Sequence, residues 1–162
     1  MSARTRPPTK GGAMGVETRK KLDIAVEEIE AAVVHYEAGK FVCAIALAGA
    51  GEEILGKIVT KTADRDNALQ TRIKGTVAIY DAVTNGLPDV ETDKAIEKRV
   101  ANVSNWLRNE LKHQDSGADS TISFDFKDGA EDMLDRAIDN YFRLLNDTTA
   151  IMRRYLSKRH PA

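Results

Sequence analysis

The stretch Phe41-Val42-Cys43-Ala44-Ile45-Ala46-Leu47-Ala48-Gly49-Ala50-Gly51-Glu52-Glu53-Ile54-Leu55-Gly56-Lys57-Ile58-Val59-Thr60 decides the fold. At helical spacing Phe41, Ile45, Ala48, Leu55 and Val59 line one side, while Ala44, Leu47, Ile54 and Ile58 line another. A helix that is apolar nearly all round in its first half belongs at the centre of a bundle. The run Phe41 to Gly51 covers 11 residues, too short to span a bilayer. Ala48 to Gly51 is a run of small residues that lets another backbone approach closely, and with no strand before it this run is not a phosphate loop. Cys43, the single cysteine, reads as a small buried hydrophobe. One Cys and three scattered His assemble no zinc set, and no cofactor is expected. Glu52 falls on the apolar seam with Glu53 beside it. A buried carboxylate is costly unless paired, so a cation or donor from elsewhere should answer one of the two.

Outward from this helix the same periodicity recurs. A first helix is expected over Glu17–Tyr36, with Leu22, Val26, Ile29, Val33 and Tyr36 as its seam, stopped by Gly39. His35, beside that seam, reads as a structural residue. A third helix spans Asn67–Thr84 on Leu69, Ile73, Thr76, Tyr80 and Val83, ended by Asn85-Gly86 and Pro88. A fourth starts at Thr92 or Asp93, carries Ile96, Val100, Val103, Leu107 and Leu111, and ends within Lys112 to Ser116. Thr121-Ile122-Ser123-Phe124-Asp125-Phe126 alternates with period two, as a strap over the core or as half of an intermolecular strand pair. Asp128 and Glu131 have capping-box spacing, opening a last helix that runs through Leu134, Ala137, Tyr141, Leu145, Thr148, Met152 and Tyr155. The expected fold is all-α, an up-down bundle of four to five helices with a short extended segment near 121–126. Residues 1–15 read as a disordered basic arm, 16–157 as one helical domain and 158–162 as a basic tail.

The net charge of −1 hides an uneven distribution. All 25 acids lie between Glu17 and Asp147; the body between the basic ends holds 17 cations. Such a body offers no broad basic face for duplex DNA. The N-terminus has no apolar stretch of signal-peptide type, so a cytoplasmic protein, with no membrane association, is expected.

Chemistry is most concentrated in Trp106-Leu107-Arg108-Asn109-Glu110-Leu111-Lys112-His113-Gln114-Asp115. On a helix, Asn102, Asn105, Asn109 and His113 fall on one side, and Arg108 and Lys112 share a neighbouring face. Three asparagines on one face run against helix propensity, and a local rule broken in one place points to function. Arg108 and His113 lie about 140° apart around an unbroken helix. They can meet one phosphate only if the helix ends between them or if a second subunit supplies one of them. Histidine works as acid or base near neutrality, and arginine binds phosphate and stabilises its developing charge.

Arg108-Asn109-Glu110-Leu111-Lys112-His113 resembles the Arg-x4–6-His motif of HEPN (higher eukaryotes and prokaryotes nucleotide-binding) domains, including the amide directly after the arginine. The stretch Ala46 to Lys57 is similar to the small-residue, acid-bearing second helix of that family. The resemblance covers Leu22 to Tyr155, and only these two stretches are specific. Arg154 and His160 have a related spacing and read as a chance match. The resemblance implies an all-α homodimer and a metal-independent endoribonuclease of toxin or antiphage type, acting on single-stranded RNA and paired with an antitoxin protein. It implies Arg108 on the scissile phosphate, His113 as acid/base and Asn109 orienting one of them. Asn105, Lys112, Asp115, Glu52 and Glu53 would support them. Where antitoxin-modified members carry tyrosine two residues after the histidine, this chain has Asp115, which orients His113 or caps the helix. The other reading the resemblance allows is a non-catalytic dimer that binds a nucleotide or a partner protein.

Overall fold

The computed structural model describes residues 16–84, 92–112 and 121–161, which form six helices and no strand. They are α1 (Lys21–Glu37), α2 (Phe41–Thr62), α3 (Ala68–Thr84), α4 (Asp93–Glu110), α5 (Phe126–Leu145) and α6 (Ala150–Arg159). Gly39 stops α1 as its sequence position suggests. It takes φ +71, a value glycine adopts without steric cost, and its N–H and that of Lys40 reach back to the carbonyls of Tyr36 and His35. At the start of α3, Asn67 Oδ1 accepts from Gln70 N at 2.9 Å and Gln70 Oε1 accepts from Asn67 N at 3.0 Å, a reciprocal capping pair.

The core forms where α1, α5 and α6 close on α2. Ala25, Ile29, Ala32 and Val33 from α1 meet Ala48 and Leu55 from α2, Leu134 and Ala137 from α5, and Met152 and Tyr155 from α6, all fully or almost fully buried. The small-residue run permits this approach: a Cβ on Gly51 would lie 3.0 Å from the Ala25 carbonyl oxygen and 2.7 Å from Ile29 Cγ1. A second cluster, Ala44, Ile45, Leu107 and Ala130, holds α4 against α2 and α5, with Ile122 and Phe126 packed on it.

Several expectations need correction. Cys43 is exposed and Val42 half-exposed, because α1 and α5 do not encircle the first turns of α2. The last helix is two helices. Asn146 takes the left-handed conformation at φ 53 and closes α5, and the Thr149 hydroxyl caps α6 by accepting from Met152 N. Of the two readings of Thr121 to Phe126, the strap over the core is the one the packing supports: Thr121 to Asp125 pairs with no strand among the described residues, Ile122 packs on the core and Phe124 lies against Trp106, ring centroids 5.7 Å apart. Asp125, not Asp128, caps α5, accepting from Lys127 N and Asp128 N at 3.0 Å. Val103 is 72% exposed rather than part of the α4 stripe, since α3 covers little of that face. Arg154 lies within α6 and makes a two-pronged pair with Glu37, at 2.6 and 3.0 Å.

α6 is locked to α1 and α5 by a polar cluster. Tyr36 donates to Glu131, Tyr155 donates to Asp135 at 3.1 Å, and Arg159 pairs with Glu131 at 3.2 Å. Burial first, and then the bond to Glu131, push the Tyr36 phenol up to about 12; Tyr155 is raised too. A folded-state pKa above the unfolded one keeps its stabilisation below the unfolded value and loses it as pH climbs through the folded value. Thermal melts should therefore hold steady up to about pH 10 and fall from there towards pH 12. Tyr36→Phe should cost about 1 kcal/mol at neutral pH and flatten the alkaline decline. An unchanged alkaline slope in the variant would show that Tyr36 does not contribute.

Candidate functional site

The α2 helix carries Glu52 on its buried side because the seam Ala48, Glu52, Leu55 and Val59 continues the helical repeat. Of the two acids, Glu52 is the buried one. Its side chain is 8% exposed, against 45% for Glu53. Two arginines answer it from different helices. Arg108 of α4 places Nη1 at 3.7 Å from Glu52 Oε2 and 3.6 Å from Glu53 Oε2, and Arg136 of α5 places Nη2 at 3.7 Å from Glu52 Oε2. These separations exceed hydrogen-bond length, so charge rather than a bidentate fork holds the group together. Two guanidiniums against one buried carboxylate leave a surplus positive charge, which Glu53 offsets from the rim.

Each arginine also grips main chain. Arg108 Nη1 donates to the Gly49 carbonyl at 3.3 Å, and a Cβ on residue 49 would come within 2.6 Å of Arg108 Cδ, so glycine there makes room for the arginine stem. Arg136 Nη1 donates to the Ser104 carbonyl at 2.9 Å and Nη2 to Asn105 Oδ1 at 3.3 Å. The Nε groups of both arginines are buried and find no acceptor among the described residues. Burial pulls the Arg136 guanidinium below its ordinary pKa, with Glu52 and Asp132 opposing. On the next turn of α5, the buried Asn140 accepts from Ala68 N at 2.7 Å and donates to the Glu52 carbonyl at 3.4 Å.

The structure brings together Glu52, Glu53, Arg108 and Asn105 of the expected set. Asn105 serves Arg136, which accounts for one of the helix-opposing asparagines structurally. Asn109 is on the exposed side of α4. Lys112 follows α4 and lies close enough to Glu53 to act on it. The Lys57 hydrogen bond, 2.6 Å long, holds the Glu53 carboxyl below the ordinary carboxylate range, and Arg108 and Lys112 add to the effect. His113 and Asp115 lie outside the described residues. Helix α4 ends at Glu110, short of the expected Lys112 to Ser116, and only the turn bonds Leu111 N to Leu107 O and Lys112 N to Asn109 O continue beyond it. The regular helix thus stops two residues after Arg108.

Arg136 was not anticipated from the sequence. The available signal was Asn140 in the series Ala130, Met133, Ala137, Asn140, with Arg136 one turn before it: two polar residues on a face otherwise apolar. No group of three or more His, Cys, Asp or Glu among the described residues could hold a metal ion, and no helix among them is long and apolar enough to cross a membrane. No family model, curated protein or solved structure matches this chain.

Removing one partner of a buried charge group strands the other. Glu52→Ala, which leaves Arg108 and Arg136 facing each other, should lower unfolding free energy by about 3–5 kcal/mol. Glu53→Ala, at the half-exposed rim, should cost under about 1 kcal/mol. Urea denaturation of both variants checks this, and equal losses would contradict the assignment of Glu52 as the shared counter-charge.

Proposed function

We propose that this chain is a HEPN-like, metal-independent endoribonuclease of the toxin or antiphage type, cleaving single-stranded RNA with Arg108 and His113 in a cleft shared by two copies. One observation carries the reading. Arg108 is held by charge against Glu52 and Glu53 at separations beyond hydrogen-bond length, at the end of a helix that stops two residues later. A guanidinium oriented in this way, and not locked into a fork with carboxylate, can turn a donor to a phosphate. In the reaction, His113 takes the proton of the 2′-OH, O2′ bonds to phosphorus, and the P–O5′ bond breaks. A proton returned to O5′ leaves a 2′,3′-cyclic phosphate and a 5′-hydroxyl. Arg108 stabilises charge on the phosphoryl oxygens, and Asn109, on the exposed side of α4, orients Arg108 or His113.

The same reading takes the helices as an up-down bundle in a cytoplasmic homodimer with an antitoxin partner. The three-residue link Ala38 to Lys40 between α1 and α2 favours antiparallel neighbours. Exposed Ile79 and Val83 on α3 and Val103 on α4 supply apolar surface for an interface. A non-catalytic dimer that binds a nucleotide or a partner protein is the second reading. It is favoured by the 14% exposure of the Arg108 side chain and its bond to the Gly49 carbonyl, which together give that residue a structural task.

The two readings separate in one assay. Wild type should cleave single-stranded RNA with EDTA present, and His113→Ala and Arg108→Ala should each lower the rate by about 100-fold or more. Wild type no faster than His113→Ala would remove the ribonuclease reading and leave the binding one.

A further inference from the structure

A groove of about 470 Å³ opens beside the Arg108 site, bounded by the first turn of α1, the second half of α2 and the residue after the C-cap of α4. Its walls carry Lys21, Lys57, Lys61 and Lys112, with Glu53 as the acid among them. Ala50, Ile54 and Ile58 supply its apolar surface. Where the body as a whole holds 17 cations against 25 acids, four lysines around one groove are a local reversal of sign. A concave surface concentrates the field of such a cluster.

Glu53 cancels one of the four charges and leaves an excess of three. Its carboxylate is bonded to Lys57 at 2.6 Å and lies 3.6 Å from Arg108 Nη1, so it links the groove to the arginine. The lining residues are chemically specific in what they omit. Lysine is a compact point charge without the planar fork that grips a carboxylate, and Thr62 is the one neutral polar side chain on an otherwise aliphatic described lining. Among the described residues no aromatic ring lines the groove, so its described walls offer no base stacking of the kind used by single-strand binding folds. What such a surface recognises is a run of phosphates, without regard to sequence. A peptide held by strand addition needs an open strand edge, and this groove lies between helices.

We infer that this lysine groove is the track for the phosphate backbone of single-stranded RNA, delivering one phosphate to Arg108 while neighbouring phosphates lie along Lys57, Lys61 and Lys112. The inference rests on the ribonuclease reading for its substrate, but is testable apart from it.

Binding of a short 2′-O-methyl RNA, which lacks the attacking hydroxyl, is measured across a salt series for wild type, Lys57→Glu/Lys61→Glu and Lys57→Gln/Lys61→Gln, with circular dichroism confirming the fold. The charge-reversed pair should lose at least about tenfold in affinity. The neutral pair should lose less and reduce the log–log salt slope by about 1.4, two phosphate contacts at about 0.7 each for single strands. Equal affinity and slope in all three proteins, or no binding by wild type, overturns the track. So does displacement of the RNA by polyglutamate at equal charge concentration, which would make the groove a surface for acidic polypeptide. Lysine-dependent binding with ordinary RNA left intact refutes the ribonuclease and keeps the track. Cleavage indifferent to both lysine pairs refutes the track and keeps the ribonuclease.

Discussion

The constraint on which this structure depends is the burial of one carboxylate. Glu52 sits in the middle of the most enclosed helix, and a lone ionised group there would cost several kcal/mol. Arg108 and Arg136 reach it from α4 and α5, and each also takes a main-chain carbonyl, of Gly49 and of Ser104. The three helices are therefore oriented by charge as well as by apolar packing. Apolar contact alone tolerates rotation and sliding of helices, whereas a shared counter-ion with two donors fixes both.

Around that hub the packing is uneven. α1, α5 and α6 close the α2 core, while α3 buries only Ala68. At its base α3 is held by Asn140 and by the Arg72–Asp132 pair, 2.5 Å between donor and acceptor, and beyond these Ile79 and Val83 face outward. The chain thus pairs a well-buried half with an arm whose apolar side chains lack cover among the described residues. The lysine groove lies on α2, against the α1 start and the α4 end.

Much of the fold was legible because local signals and tertiary outcome agree. Gly39, the small-residue run before Glu52 and the seam of α1 each do what their spacing implies. The need for a buried cation opposite Glu52 was also readable, since a carboxylate on an apolar seam demands one. Which cation answers was not. Arg136 becomes a core residue only because Ser104 and Asn105 of another helix meet it, a pairing without a sequence period. The break at Asn146 was hidden because α6 folds back on the same core and so continues the apolar spacing of α5. The alternation of Ile122, Phe124 and Phe126 comes from a capped turn whose rings meet each other and Trp106, and period two cannot distinguish that from a strand. Cys43 shows that an apolar run is not always a buried one. Of the expected catalytic pair, Arg108 lies in a charged setting, whereas His113, placed by helical spacing on the asparagine side, lies outside the described residues.

Asn140 has a further consequence. Its amide is a single rigid plane, and it holds the first N–H of α3 with one end and the main chain of α2 at Glu52 with the other. A shift in the axis of α2 at that point must lengthen one bond, tilt the amide, or carry the base of α3 along. The acid that balances the two arginines and the root of α3 are thus tied through this side chain, alongside the Arg72–Asp132 pair. Displacing the charge hub would therefore load the Asn140 amide and, through it, the first turn of α3.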